Sequence, residues 1–446
     1  MNMKPLILIP ILIIGLGVLQ KAQAVSPAPD GGYPGRNTAE GQKALFSLTT
    51  GTDNAALGHS SLQSLTTGKL NTGVGAWTLV LNTADYNTAC GAAALLFNGT
   101  GTDNTAVGTG ALLFNTIGEG NTATGAFALY NNTEGEFNTA NGEFTLYFNT
   151  TGERNTATGD SALYGNSTGN LNTATGNAAL VTNTSGNRNT ANGSFAPFSN
   201  TTNNNTANGA FALYSNTTGN DNTANGLNAL YSNTTGDNNT ANGFNALASN
   251  TTGNFNIALG SNAGVNVTTA SSVICIGTSV FGANVSNSCY IGKIFGATSS
   301  GGTAVFINSD GKLGTVTSSR RFKEEIKPME RASEALFALK PVTFRYKKGI
   351  DPQGIPQFGL VAEDVEAVNP DLVVRDGEGK VNTVRYEAVN AMLLNEFLKE
   401  HRKMQKLEAA LEAVSKRLKL QEAKTQDVRF QPDPGKSAPQ MVSNNR

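Results

Sequence analysis

Histidine, cysteine, tryptophan and charge are all scarce in this chain of 446 residues. It has two His, three Cys and one Trp, and only 15% of its residues are charged, against about 25% in an ordinary globular protein. His59, His401, Cys90, Cys275 and Cys289 are too few to build Cys/His zinc sites, His-based triads or a disulfide scaffold. With 32 basic and 33 acidic side chains the formal net charge is −1, so no global field recommends nucleic acid or an anionic lipid surface as partner. No metal or cofactor is expected. No phosphate-loop lysine motif or dinucleotide fingerprint stands in a strand-to-helix context.

The charges that exist are unevenly placed. Residues 1–310 hold 8 Lys/Arg and 14 Asp/Glu, while the last 136 residues hold 24 and 19. Two kinds of sequence therefore meet near residue 310. At the start, the basic Met1–Lys4, the 15-residue apolar run Pro5–Leu19 and the small residues Ala22-Gln23-Ala24 have the order of a secretory signal peptide. The run is shorter than the roughly 20 apolar residues that span a bilayer, which favours cleavage after Ala24 over an uncleaved membrane anchor. The expected location is secreted or cell-surface, with the membrane a partner only through that segment if it stays on.

Glycine is abundant, 50 residues in all, and it marks a repeat. The pattern Asn-Thr-Ala-x-Gly-x-x-Ala-Leu-x-x-Asn-Thr-Thr-Gly begins at Asn37, 54, 71, 87, 104, 121, 138, 155, 172, 189, 205, 222, 239 and 256, with eleven intervals of 17 residues and two of 16. Degenerate copies follow at Ser272–Gly277 and Ser288–Gly292. The third position is Ala in every copy except Gly73, so it faces a crowded axis or a neighbouring backbone. The fifth is always Gly, which suits a corner with positive φ. The ninth is Leu except at Pro197 and Gly264. One leucine and two alanines per unit cannot order 17 residues alone. Stacked rungs can, by burying each other's small faces and running Asn and Thr ladders between turns.

The expected fold is mainly β: a 17-residue-repeat β-solenoid, or β-roll, followed by a small α+β domain and a C-terminal coiled-coil helix. Short strands with Gly and Asn corners, at about 4.8 Å per rung, give fourteen rungs a length of about 65 Å. A strand-plus-helical-turn horseshoe is the alternative, since the period does not choose between solenoid types. Many Asn-x-Ser/Thr triplets match the glycosylation pattern, and corner or ladder asparagines are the favoured reading. Cys275 and Cys289 lie two and three residues before Gly277 and Gly292. Those offsets face opposite sides of adjacent strands, so both are expected unpaired.

The Ala-x-Gly punctuation and small-residue core resemble the head repeats of YadA-like trimeric autotransporter adhesins, although those repeats are nearer fourteen residues. The resemblance implies a left-handed parallel β-roll in a surface-displayed trimeric fibre. A passive spacer and a ligand-binding rod are equally compatible with the repeat, and no rung stands out as a site.

The expected organisation is a signal peptide at 1–24, a linker at 25–36, the repeat solenoid at 37–292, a junction at 293–317, a globular module at 318–388, a coiled-coil helix at 389–424 and a disordered tail at 425–446. Asp310-Gly311 between apolar residues signals a hairpin in the junction. The module carries a helix-like stretch at 330–339, strand-like stretches at 341–346 and 372–374, and a turn at 351–356. In the long helix Phe397, Met404, Leu411 and Leu418 form one core position and Leu393, Leu407 and Val414 the other, interrupted by Glu400. That is a heptad seam; an amphipathic helix packed on its own domain has the same periodicity.

Five ordered blocks, Ser318–Lys323, Lys340–Tyr346, Gly359–Val365, Asn369–Val373 and Val384–Glu387, resemble the C-terminal intramolecular chaperone domain of endosialidase tailspikes and phage tail fibres, the S74 peptidase family. The resemblance implies a homotrimer, assistance to folding of the fibre ahead of the domain, and self-cleavage by a Ser-Lys dyad. On it, Ser318 is the nucleophile, Lys323 the general base, and Thr317-Ser318 the bond cut, with Ser319, Arg320 and Arg321 as supporting residues. Ser319 departs from the family, which commonly has Asp there. The chemistry agrees: with histidine nearly absent, lysine is the base left to a serine. Its ordinary pKa of about 10.4 must fall, through burial against Phe322 or proximity to Arg320 and Arg321. The competing readings are a trimer that never cuts, keeping the module as a permanent clasp, and an adhesin whose ligand is a host surface or carbohydrate.

Overall fold

The computed structural model describes residues 33–197, 201–308 and 311–429, in two units divided between Thr298 and Ser299. The signal-peptide reading and the end of the tail lie outside the described residues.

The first unit is a β-solenoid with one strand per rung. Sixteen parallel strands, from β1 (Thr38–Glu40) to β16 (Ser288–Ile291), pair in sequence order. The register matches like with like: Thr223 pairs with Thr240 across a 17-residue rung and Thr190 with Thr206 across a 16-residue one. The two degenerate copies supply the last two strands, β15 (Val273–Ile276) and β16. The central Ala of each regular strand points inward, and with the Leu columns it forms a core closed within one chain; Ala140, Leu146 and Ala157 are fully buried. Gly73 replaces Ala because the Ser61 and Thr78 hydroxyls, 2.8 Å apart, occupy the space a Cβ needs.

The fifth-position glycines answer two demands at once. Gly142 has φ +137, and a Cβ there would lie 2.7 Å from the carbonyl oxygen of Gly159 on the next rung. The corner after it is not the helical turn of the horseshoe alternative. Its seventh and ninth residues take positive φ even when they are bulky: Phe144 +53 and Leu146 +51. The alternation costs about 1 kcal/mol per left-handed residue and turns the amides along the rod axis. Phe144 N–H donates to Ala126 O on one neighbouring rung, and Leu146 N–H to Ala162 O on the other. Buried backbone groups that form no strand are thereby satisfied.

Two buried asparagine ladders complete the interior. In the first-position column, Asn138 N–H donates to Asn121 Oδ1 at 3.0 Å and Asn138 Nδ2 donates to Gly152 O at 2.8 Å. In the twelfth-position column, Asn149 Nδ2 donates to Asn132 Oδ1 and Gly152 O. The triplets beginning at Asn149, Asn166, Asn216, Asn233 and Asn250 match the glycosylation pattern, yet these side chains are fully buried. Cys275 is buried opposite Tyr290, one residue out of register with the exposed Cys289, and both thiols are free. Burial, and then the neighbouring Cys289, push the Cys275 thiol pKa up.

The second unit holds the hairpin β17 (Phe306–Ile307) and β18 (Leu313–Gly314), around the turn signal whose Asp310 lies outside the described residues. Next come β19 (Val342–Phe344) and β20 (Gln357–Gly359), paired antiparallel, and α1 (Ala362–Val368). The hairpin β21 (Val373–Arg375) with β22 (Val381–Val384) leads into α2 (Tyr386–Arg429). The helix-like stretch at 330–339 is a 3-10 segment, Ala332–Ala338, closed by the bond from Leu339 N–H to Leu336 O. Val365, Leu372, Val373, Val384, Val389 and Met392 form the small core. The helix exceeds its expected bounds of 389 and 424 at both ends, and residues 425–429, expected in a disordered tail, are helical. The first proline after Glu387 is Pro432, so no residue before it is barred from a helix.

Candidate active site

A single 3-10 turn, Arg320–Phe322, folds the start of the charged region. Phe322 N–H donates to Ser319 O at 3.0 Å and Lys323 N–H to Arg320 O at 3.1 Å. The turn brings side chains five residues apart together, so that Lys323 Nζ donates to Ser318 Oγ at 3.1 Å. When the amine loses its proton this bond reverses, and the serine hydroxyl donates to the nitrogen. Thr317, which precedes Ser318, lies in an exposed stretch without regular structure.

The supporting residues are placed less closely. Arg321 stacks its guanidinium over the Phe322 ring at 4.6 Å. Ser319 is the N-cap residue of the turn but makes no capping bond with its side chain. Residues Ser318 to Lys323 are all exposed, Phe322 at 58%. The apolar burial expected to favour a neutral lysine is therefore not supplied by the chain around it.

A second serine-lysine grouping was not singled out in the sequence. Ser333, fully buried, donates to Glu396 Oε1 and accepts from Asn395 Nδ2 at 2.7 Å and from Lys399 Nζ at 3.3 Å. Lys399 Nζ also donates to Glu396 Oε1 at 2.6 Å. With Ser333 committed to a carboxylate and Lys399 to the same group, this cluster is a polar clamp between the 3-10 segment and α2, not a nucleophile with its base. Its only sequence signal is the i, i+3 pair Glu396/Lys399; Ser333 lies 63 residues from Glu396.

The remaining blocks contribute to the small core and its flanking bonds. Tyr386 OH accepts from Leu360 N–H at 3.1 Å, and Asn369 Oδ1 accepts from Asp371 N–H to cap the 3-10 turn Pro370–Leu372. Val342 pairs with Gly359, and Val373 with Val384. Early in α2, Val389 and Met392 are buried, whereas the seam residues Leu393, Phe397, Met404, Leu407, Leu411, Val414 and Leu418 are 53–71% exposed. The packed-amphipathic reading thus holds for Val389 and Met392, and from Leu393 onward the apolar seam is solvent-facing in the single chain. Among the described residues no group of three or more His, Cys, Asp or Glu is placed to hold a metal, and no helix is long and apolar enough to cross a membrane.

Comparison with known proteins adds two findings. The long tail fiber protein Gp37 of Escherichia phage AR1 is 36% identical over 69 residues, which is 15% of this chain and 6% of that protein. The chain thus matches only a small part of that relative's length. No solved structure matches. Residues 318–374 match the family model Peptidase_S74, described as chaperone of endosialidase, which takes in four of the five blocks and stops before Val384–Glu387. This segment, which contains both Ser318 and Lys323, thus matches the chaperone-of-endosialidase model of the S74 peptidase family and follows a β-solenoid in the chain.

Proposed function

We propose that the chain is a secreted or cell-surface fibre protein whose C-terminal module brings three copies together, assists their folding and then cuts itself away between Thr317 and Ser318. The 3.1 Å contact between Lys323 Nζ and Ser318 Oγ, inside a segment matching the S74 family, carries the reading. The similarity to a phage long tail fibre protein supports the fibre-assembly part of it.

The steps follow from the geometry. Neutral Lys323 takes the Ser318 hydroxyl proton as Oγ attacks the Thr317 carbonyl carbon. The C–N bond breaks, the Ser318 nitrogen takes the proton back from Lys323, and Thr317 is left as an ester on Ser318 Oγ. Water then hydrolyses the ester, giving the Thr317 carboxylate and restoring the hydroxyl. One turnover per chain suffices. The solvated state of Lys323 in the single chain gives this scheme a gate. Packing of a second copy near Phe322 would desolvate the ammonium and favour the neutral base, so cutting follows assembly.

The rungs explain the need for a helper. Slipping a rung by one repeat rebuilds nearly the same asparagine ladder, so near-identical registers compete during folding. Removing the helper afterwards leaves the fibre kinetically trapped in its folded state. Mass spectrometry of denatured purified protein tests this: wild type should yield a fragment beginning at Ser318, and Ser318→Ala and Lys323→Ala should stay whole. Intact wild-type chain after complete folding would instead establish the module as a permanent clasp.

A further inference from the structure

The solenoid carries one interrupted column of rings. At the eleventh position of successive rungs stand Phe97, Phe114, Asn131 and Phe148. Phe97 and Phe114 stack in parallel, with ring centroids 5.2 Å apart. Beside them, Tyr130, Tyr147 and Tyr164 stack without interruption at 5.0 and 5.3 Å. The eleventh-position column therefore lacks one ring, at Asn131. The result is a slot of about 480 Å³ lined by Phe114, Thr116, Asn131, Thr133, Phe148 and Thr150, within the roughly 300–1,000 Å³ range of ligand sites. Phe114 and Phe148 are two rungs apart, about 9.6 Å, so one inserted ring would sit near stacking distance from both.

The polar lining offers acceptors. The Thr116 and Thr133 hydroxyls donate to the carbonyls of Thr133 and Thr150 on the next rungs, and Asn131 Nδ2 donates to Tyr147 O at 3.0 Å. Their oxygen lone pairs, with Asn131 Oδ1, face a ligand that brings its own donors. The three rungs over residues 104–154 carry five glutamates, Glu119, Glu134, Glu136, Glu143 and Glu153, and one arginine, Arg154, which pairs with Glu153. The excess of negative charge disfavours an anionic ligand there.

We infer that this slot is a binding site for a neutral pyranose ring of a saccharide. Such a ring presents an apolar C–H face to the negative face of an aromatic ring and hydroxyl donors around its rim. The inference does not depend on self-cleavage.

The test uses the full chain, wild type and Ser318→Ala alike, titrated by calorimetry with neutral oligosaccharides of glucose, galactose, mannose and N-acetylglucosamine, and with sialyllactose as the anionic probe. At least one neutral probe should bind and sialyllactose should not. Asn131→Phe completes the ring column, so it should weaken neutral-probe binding more than tenfold without lowering the melting temperature. Phe114→Ala should weaken it comparably. The inference is overturned if no neutral probe binds, if sialyllactose binds better, or if Asn131→Phe binds as wild type. A change in oligomeric mass on Asn131→Phe, with no glycan binding by wild type, would instead make the slot a contact between copies of this chain.

Discussion

Asn138 shows what a single side chain does in this rod. Its Oδ1 receives the backbone N–H of Asn155 at 3.0 Å and the Asn155 amide at 3.1 Å, while its own Nδ2 bonds to Gly152 O and Asn121 Oδ1. All of this lies out of reach of water. Replacing Asn138 by Ala leaves the buried Asn155 N–H without its acceptor, whereas Gly152 O keeps its bond from Asn149 Nδ2, and one such orphan costs about 1–3 kcal/mol. Asn138→Ala should therefore lower stability by about 1–3 kcal/mol, while Glu143→Ala at an exposed position stays within about 0.5 kcal/mol. Thermal unfolding followed by circular dichroism distinguishes the two. The sequence announces such an asparagine by its recurrence, but not whether it serves a ladder, a corner or a glycan. That choice depends on whether the side chain points into the stack.

At the scale of elements, the corner and the clamp differ in how far they could be read from sequence. The Gly corner was legible because glycine is the residue that takes its φ without penalty. The left-handed leucines were not, since Leu at φ +51 contradicts its own preference. It is held there by amides reaching the rungs on either side, which no local propensity records. The clamp on α2 has a pH signature. The hydrogen bond from Lys399, and then that from Ser333, hold the Glu396 carboxyl below its ordinary range. A depressed pKa means that its stabilisation is present above the unfolded value, near 4.3, and is lost as pH falls through the folded value. Amide protection at the start of α2, relative to an unstructured chain at the same pH, should fall on acidification below about pH 4.3. Glu396→Gln should remove that pH dependence, and an unchanged profile in this variant would assign the effect to other carboxylates.

At the scale of the whole molecule, each chain closes its own solenoid core, so the proposed assembly needs surfaces that the single chain leaves open. The seam of α2 is an apolar candidate in the second unit. A row of leucines and a phenylalanine more than half exposed is unfavourable in water, and heptad spacing is how such rows are buried between helices. Placing aspartate at both Phe397 and Leu411 should turn the assembled species into monomers by light scattering. If cutting follows assembly as proposed, it should also suppress the fragment beginning at Ser318. Monomers that still cut would detach cleavage from assembly.

The rung period, the small interior, the glycine corner and the pairing of Ser318 with Lys323 could all be read from the linear order of residues. Stacking near-identical units makes a local pattern into a global one, and the six residues from Ser318 to Lys323 span a single turn. Only the tertiary structure decided that each rung has one strand, that its leucines are left-handed, that the core closes within one chain and that Ser333 clamps a helix 63 residues away. Those outcomes rest on where amides and side chains point once neighbouring rungs and distant segments are in place, and a linear order of residues does not carry that direction.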